Sequence, residues 1–163
     1  MKTVIIGCGF IGRELARQLL ASGHEVTILS RSLGSLPGAK WVQADVLLGT
    51  PPIPENTDAV FYLAQSPHYR DYPAHMDHLF GVNMLGVVHA AQAALKTRCG
   101  FFFHASTGNV YAPHFSPLSE NHPIDRGNAY ALSKISAEEA LNLYSERIQV
   151  LNGYYSVFDP EEK

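Results

Sequence analysis

The feature that most constrains the fold is an N-terminal segment in which an apolar run, a glycine turn and a helical pattern follow one another. Residues 3–7, TVIIG, are typical of a buried strand, and residues 11–23, IGRELARQLLASG, have helical periodicity and end at a glycine. The turn contains Gly7, Gly9 and Gly12. This order predicts the first half of a βαβ unit and therefore a parallel sheet.

The rest of the chain repeats this alternation of apolar runs and helical segments. At 163 residues the chain is long enough for one hydrophobic core. The sequence therefore predicts one α/β domain over residues 1–163, a doubly wound parallel sheet of Rossmann type with helices on both faces. Further strands are predicted at residues 25–30, 39–46, 58–64, 100–106 and 148–157, and further helices at about 75–97 and around AYALSK at 129–134.

The glycine spacing G-x-G-x-x-G also indicates a ligand. Between a strand and a helix, Gly7, Gly9 and Gly12 would let the backbone turn tightly and approach a pyrophosphate, whose charge is stabilised at the helix N-terminus. The alternative is a tight turn that needs glycine for packing alone. The position between strand and helix favours the first interpretation, so these glycines are predicted to bind a dinucleotide.

The end of the second strand bears on the choice of dinucleotide. An acidic residue there would bind the ribose hydroxyls of NAD, but the sequence has Ser30, Arg31 and Ser32. A guanidinium suits a 2′-phosphate better, so Arg31 and Ser32 favour NADP, with NAD still possible; the alternative is an exposed arginine without a role. Asp45, after the third strand, either accepts a hydrogen bond from the adenine amino group or caps a turn.

A tyrosine and a lysine four residues apart suggest proton transfer. Tyr130 and Lys134 would share one helix face, where the lysine ammonium can favour the phenolate. Bringing a phenol from a pKa of about 10 to near 7 takes roughly 4 kcal/mol. Ser106 and Thr107 leave the fifth strand at the sheet edge where such folds bind ligands. Alone, each feature is more often structural; beside a dinucleotide turn the Tyr-Lys pair favours chemistry.

Several classes of partner are not expected. The net charge is −3 and the basic residues are scattered, which argues against nucleic acid. No apolar run approaches a membrane span and no signal-peptide pattern is present, so a cytoplasmic protein is expected. Cys8 and Cys99 are expected to be reduced. His75 and His78, with Asp77, could place two imidazoles on one helix face, but zinc needs three or four converging ligands and no partner cluster is evident, so no metal is predicted.

Segments along nearly the whole chain resemble the extended short-chain dehydrogenase/reductases, the NAD(P)-dependent epimerase/dehydratase family. They are GCGFIG (7–12), ADV (44–46), DAVFYLAQ (58–65), VNMLGVVHAAQAA (82–94), STGNVYA (106–112) and YALSK (130–134). The resemblance implies a homodimer through two of the helices. It also implies a catalytic Thr107, a Tyr130 acid/base, and a Lys134 that binds the nicotinamide ribose and lowers the phenol pKa.

The resemblance assigns cofactor contacts that the residue patterns alone do not. They fall on Phe10 and Ile11 at the pyrophosphate, Asp45 and Val46 beside adenine, Leu63, Ala64 and Gln65 under the ribose, and Asn83 and Tyr155 near the cofactor. Other positions depart from the family pattern: Ile6 replaces a frequent glycine, Asn152 replaces an arginine, and Gly108 and Asn109 replace the Asp-Glu pair of sugar-nucleotide dehydratases. Without those carboxylates an elimination has no evident acid and base.

The chain ends at Lys163, where family members continue into a small substrate domain, so that domain is expected to be absent. Two functions therefore stay open. One is an oxidoreductase or epimerase that acts on a hydroxyl or carbonyl carbon, with a sugar nucleotide as the expected small-molecule substrate. The other is a dinucleotide-binding module without turnover. A scaffold that binds nothing would leave every motif without a role.

Overall fold

The computed structural model describes residues 1–115 and 117–153, which form a six-stranded sheet and its helices. The strands are β1 (Lys2–Ile6), β2 (Glu25–Ser30), β3 (Lys40–Gln43), β4 (Ala59–Tyr62), β5 (Phe101–Ala105) and β6 (Gln149–Gly153). The helices are α1 (Phe10–Ala21), α2 (Met76–Phe80), α3 (Gly86–Lys96) and α4 (Ala129–Asn142). A π-helical turn (Gly81–Leu85) joins α2 to α3, and 3₁₀ turns cover Val46–Leu48 and Gly108–Val110.

All strand pairs are parallel, and the strand order is β3-β2-β1-β4-β5-β6. The order reverses between β1 and β4, which is the switch point where open α/β sheets form a ligand crevice at the carboxyl ends of their strands. The predicted α/β class and the doubly wound Rossmann-type sheet are confirmed.

The two faces of the sheet bury separate apolar clusters because alternate residues of a strand point to opposite sides. Ile5 and Ile28 pack with Ala16 of α1 on one face. Val4 and Phe102 belong to the cluster on the other face, which is covered by α3 and α4. Small and apolar residues on one side of α3 and of the π-helical turn are buried: Val82, Gly86, Val87, Ala90, Ala91 and Ala94.

The segment predicted as one long helix contains a π-helical turn, which has a tertiary cause. The Tyr62 hydroxyl, on β4, donates to the Val82 carbonyl oxygen at 2.6 Å. A Cβ on Gly86 would lie 2.5 Å from that same hydroxyl oxygen. The tyrosine therefore takes an acceptor from the helical ladder, a recognised cause of local distortion in helices.

The helical run Met76–Lys96 is long and apolar enough, with a mean hydropathy of 1.2, to meet the length and composition of a membrane span. Half of that stretch is buried against the rest of the protein. Its apolar composition is accounted for by the face that packs on the sheet.

The predicted third and sixth strands differ from the observed ones in length. β3 ends at Gln43, and the chain then turns through Asp45, whose carboxylate caps the 3₁₀ turn by accepting from the Leu47 N–H at 2.9 Å. β6 is described to Gly153. The predicted remainder of that strand, with Tyr155, lies outside the described residues.

Candidate functional site

The glycine turn after β1 comes so close to β4 that side chains would not fit at two of its positions. Gly7 has a φ of +95°, and a Cβ there would lie 2.5 Å from the Ala64 nitrogen. A Cβ on Gly12 would lie 2.3 Å from the Gly7 carbonyl oxygen. At Gly9 an added Cβ would meet nothing within 4 Å, so the backbone there is open to a ligand. Two glycines therefore close the turn, and the third leaves room.

Helix α1 begins at this turn with its first N–H groups unsatisfied by side chains. Gly9 is the N-cap, it provides no side-chain hydrogen bond, and its carbonyl accepts from the Arg13 N–H at 3.0 Å. The N–H groups of Phe10, Ile11 and Gly12 precede the first intrahelical donor and remain available to an anion. The Phe10 and Ile11 side chains are 93% and 58% exposed. Their predicted contact with a pyrophosphate would therefore be made by the backbone.

A crevice of about 520 Å³ runs along the switch point, which is within the usual size of small-molecule pockets. Most of the predicted cofactor-binding residues line it: Gly7, Gly9, Arg31, Ser32, Asp45, Val46, Leu63, Ala64 and Gln65. Gly12, in the first turn of α1, is not one of its lining residues. The crevice thus connects the end of β2 with the end of β4.

The β2 end of the crevice offers one cation. The Arg31 side chain is exposed, and its backbone carbonyl accepts from Gln43 Nε2 at 2.9 Å, which fixes the loop. Among the described residues no carboxylate forms an ion pair with this guanidinium. Asp45 also lines the crevice, and its Oδ1 caps the 3₁₀ turn; the second carboxylate oxygen has no bond among those found in the described part of the chain, so the contact with adenine stays a prediction.

The structure brings Tyr130 together with two groups from the sheet edge. Helix α4 starts after Asn128, whose side chain accepts from the Ala131 N–H at 2.7 Å and so sets the first turn. The Tyr130 hydroxyl donates to Gln65 Oε1 at 3.3 Å and is also hydrogen-bonded by the Thr107 side chain. Burial raises the pKa of Tyr130 above its ordinary value, and the Thr107 hydrogen bond opposes this. Thr107 and Tyr130 therefore lie near each other, and their catalytic roles stay predictions.

Lys134 lies one turn after Tyr130 on α4, but its ammonium bonds to the backbone of β5. Its side chain is 2% exposed, and Nζ donates to the Ala105 carbonyl oxygen at 2.7 Å. Burial lowers the pKa of Lys134 to about 8, with Glu138 opposing that shift. Burial, Thr107 and Tyr69 shift the pKa of Tyr130 in this structure, so the lowering of the phenol pKa by the Lys134 ammonium stays a prediction.

Glu138 is a charged group at this site that the sequence reading missed. Burial raises the pKa of Glu138, while a hydrogen bond from the Ser106 hydroxyl and the charge of Lys134 lower it. Lys134 and Glu138 are four residues apart on α4, a spacing that pairs charges on one helix face. That spacing was the signal that could have found it.

Asn83 is fully buried, and its hydrogen bonds connect two segments of the chain behind the crevice-lining residues. Its Oδ1 accepts from the Ser66 N–H at 3.0 Å, and its Nδ2 donates to Ser133 Oγ at 3.1 Å. Ser133 in turn donates to the Tyr130 carbonyl at 2.7 Å. The predicted cofactor residue Asn83 thus links the loop after β4 to the first turn of α4, and it positions Tyr130 through the backbone.

A doubly wound sheet with this glycine turn at its switch point defines a Rossmann-type α/β domain of the dinucleotide-binding class. The sequence model of the NAD dependent epimerase/dehydratase family matches residues 3–156. The chain belongs to that family.

One curated relative is the UDP-glucose 4-epimerase of Mycolicibacterium smegmatis, 31% identical over 160 residues, which cover 88% of this chain and 51% of that protein. The UDP-glucuronic acid 4-epimerase of Bacillus cereus, solved with UDP-glucuronic acid and NAD, has a similar fold, with a TM-score of 0.81 and 21% identity over 93% of this chain and 55% of that one. Bordetella bronchiseptica WbmH, solved with NAD⁺, gives a TM-score of 0.76 at 24% identity, covering 94% and 55%. The chain spans about half the length of its curated relatives.

The pKa of His104 is a measurable consequence of burial and of the charge of Lys134. The ring is fully buried, and its Nδ1 donates to Asn152 Oδ1 at 3.1 Å. Burial first, then the charge of Lys134, lower the pKa of His104 to about 3. Because the unfolded chain binds this proton near pH 6.5 and the folded chain does not, His104 contributes stability above pH 6.5 that is lost as the pH falls towards 3.

We therefore expect the His104 ring signals in NMR to show no titration between pH 8 and about pH 4.5. The same ring in urea-unfolded protein should titrate with its ordinary pKa, and a His104→Gln variant assigns the signal. A folded-state titration of His104 near pH 6.5 would contradict the buried, neutral imidazole.

Proposed function

We propose that this chain binds NAD(P) in the crevice and catalyses oxidation or reduction at a hydroxyl or carbonyl carbon of a sugar nucleotide. The observation that carries the proposal is the meeting of the Tyr130 hydroxyl with Thr107 and Gln65 at the crevice end of β4. A cofactor fits the structure because Gly9 is open, Gly7 and Gly12 allow the close turn, and the first N–H groups of α1 are available. The nicotinamide would supply the hydride acceptor or donor.

Four side chains of this chain would handle the proton and orient the substrate. Tyr130 exchanges the proton of the substrate oxygen at its phenolic oxygen, and Thr107 orients that oxygen through its hydroxyl. Gln65 accepts from the phenol before substrate arrives and so fixes its direction. Lys134, held on the Ala105 carbonyl, keeps a positive charge at the sheet edge below its pKa of about 8.

The relatives' names support a nucleotide sugar as the substrate class, because the M. smegmatis protein is a UDP-glucose 4-epimerase. Epimerisation is favoured over dehydration. The residues after Thr107, Gly108 and Asn109, form a 3₁₀ turn in which Thr107 Oγ1 accepts from the Asn109 N–H at 3.2 Å, and neither offers a carboxylate for an elimination. The homodimer through α3 and α4 and the cytoplasmic location stay predictions.

We also propose a preference for NADP over NAD. The solved relatives named above hold NAD, but the described residues offer Arg31 no ion-pair partner, and it lines the crevice at the end of β2 beside Ser32. A guanidinium there can form two charge-assisted hydrogen bonds with a 2′-phosphate.

Replacing Tyr130 tests the reaction. In Tyr130→Phe the ring stays and the proton is lost, so kcat/KM for interconversion of UDP-glucose and UDP-galactose should fall by about 10²- to 10⁴-fold. The dissociation constant for NADPH, measured by calorimetry, should change less than about twofold because no binding group is removed.

Tyr69→Phe is the matched control. The Tyr69 ring lies 5.6 Å from that of Tyr130, centroid to centroid, and survives the change, so activity should be retained. Full activity in Tyr130→Phe would remove the mechanism. Tight nucleotide binding by a native protein that turns over no nucleotide sugar would establish the non-catalytic binding module instead.

Replacing Arg31 tests the cofactor preference. Arg31→Ala should weaken NADPH binding by about tenfold to a hundredfold, the usual effect of losing a hydrogen bond to a charged group, and leave NADH binding nearly unchanged. Arg17→Ala, on α1 and paired with Glu14 at 2.6 Å, is the control and should alter neither affinity. Equal losses for NADPH and NADH in Arg31→Ala would refute recognition of the 2′-phosphate.

A further inference from the structure

The loop between β4 and α2 gathers two imidazoles and a carboxylate at the surface. One donor atom each from His68, Asp71 and His75 lies within 4.8 Å of the others. His68 Nδ1 donates to Asp71 Oδ2 at 2.9 Å, and the His68 and His75 rings lie 4.2 Å apart, centroid to centroid. We call these three residues the loop triad. The site described above does not use any of them.

The backbone that carries the loop triad is fastened to the protein core. The Ser66 side chain, 1% exposed, accepts from the His68 N–H at 3.1 Å through Oγ. The same hydroxyl bonds His78 Nδ1 at 2.8 Å, and the Ser66 N–H donates to the buried Asn83. This arrangement engages His78 Nδ1 and holds His68 at a defined place.

Two imidazoles and one carboxylate are a ligand set that divalent transition metals accept, and zinc in particular binds such sets with water in the fourth position. Zinc–ligand bonds of about 2.0–2.1 Å place tetrahedral donors about 3.4 Å apart. The donors of the loop triad already lie within 4.8 Å of one another, so small side-chain rotations bring them to this spacing, and Asp71 and His75 are exposed. Water has access to complete the coordination.

We propose that His68, Asp71 and His75 form a binding site for a divalent transition-metal ion, with Zn²⁺ as the test ion. The sequence reading considered only His75 and His78 with Asp77, and its prediction of no metal depended on the lack of a converging third ligand. Folding supplies different partners for His75: His68 and Asp71 come from the loop, while His78 turns to Ser66.

A bound ion would fasten the loop beside the candidate active site. Tyr69 lies between two members of the loop triad in sequence, and its ring packs against the Tyr130 ring. Cross-linking His68, Asp71 and His75 restricts the segment that presents Tyr69. The ion would therefore stabilise one conformation of the loop beside the candidate active site. Its binding requires neither nucleotide nor turnover.

The test is calorimetric titration of the tag-free full chain with Zn²⁺ after treatment with a chelator. We expect saturable binding of one ion per chain, and a tetrahedral ligand-field spectrum when Co²⁺ replaces Zn²⁺. Asp71→Asn and His75→Ala should each weaken Zn²⁺ binding by at least about tenfold. Zn²⁺ should also slow amide hydrogen exchange in residues 66–75 of the native protein.

Asp77→Asn is the matched control, because Asp77 is an exposed carboxylate on the same surface and outside the loop triad. Its affinity for Zn²⁺ should equal that of the native chain, and circular dichroism of all variants should match. The proposal is overturned if the native chain shows no saturable Zn²⁺ binding, or if Asp71→Asn binds Zn²⁺ as tightly as Asp77→Asn. Both outcomes leave the nucleotide-binding proposal untouched.

Discussion

The rest of the structure depends on the close approach of the first turn to the fourth strand. Gly7 and Gly12 have no room for a Cβ, since one would collide with Ala64 and the other with the Gly7 carbonyl. This contact lets α1 start directly after the carboxyl end of β1, so that its first N–H groups follow Gly7, Cys8 and Gly9, which line the crevice. Larger residues would separate α1 from the sheet, and the positive end of the helix dipole would no longer meet a ligand there.

In the second half of the fold, buried polar contacts hold the Tyr130 hydroxyl beside Gln65, which lines that crevice. Asn83 joins Ser66, after β4, to Ser133 of α4, and Ser133 holds the Tyr130 carbonyl. Each amide atom of Asn83 therefore has a partner, which a fully buried polar side chain requires. Lys134 is buried on the Ala105 carbonyl at the cost of a lowered pKa. Buried polar groups of this kind hold one arrangement of the site in place.

Most of the sheet and part of the candidate site could be predicted from the sequence, and the features that could not be predicted have physical reasons. Apolar runs and helical periods are local patterns, so the approximate positions of the strands and helices, and with them the doubly wound parallel sheet, followed from the sequence. The π-helical turn could not be foreseen, because Tyr62 reaches Val82 across the fold. The Thr107–Tyr130 contact was expected, whereas the Lys134 bond to Ala105 depends on how deeply α4 is buried. His68, Asp71 and His75 converge through the path of a loop, which no residue spacing reveals.

The central claim is that a dinucleotide lies in this crevice with its diphosphate against the backbone of residues 9–12. The most direct measurement is a crystal structure of the protein grown or soaked with NADP⁺. The account predicts diphosphate density within hydrogen-bonding distance of the first N–H groups of α1, and the adenosine end beside Arg31 and Asp45. A crevice that stays empty at saturating nucleotide, or nucleotide bound elsewhere on the chain, would contradict it.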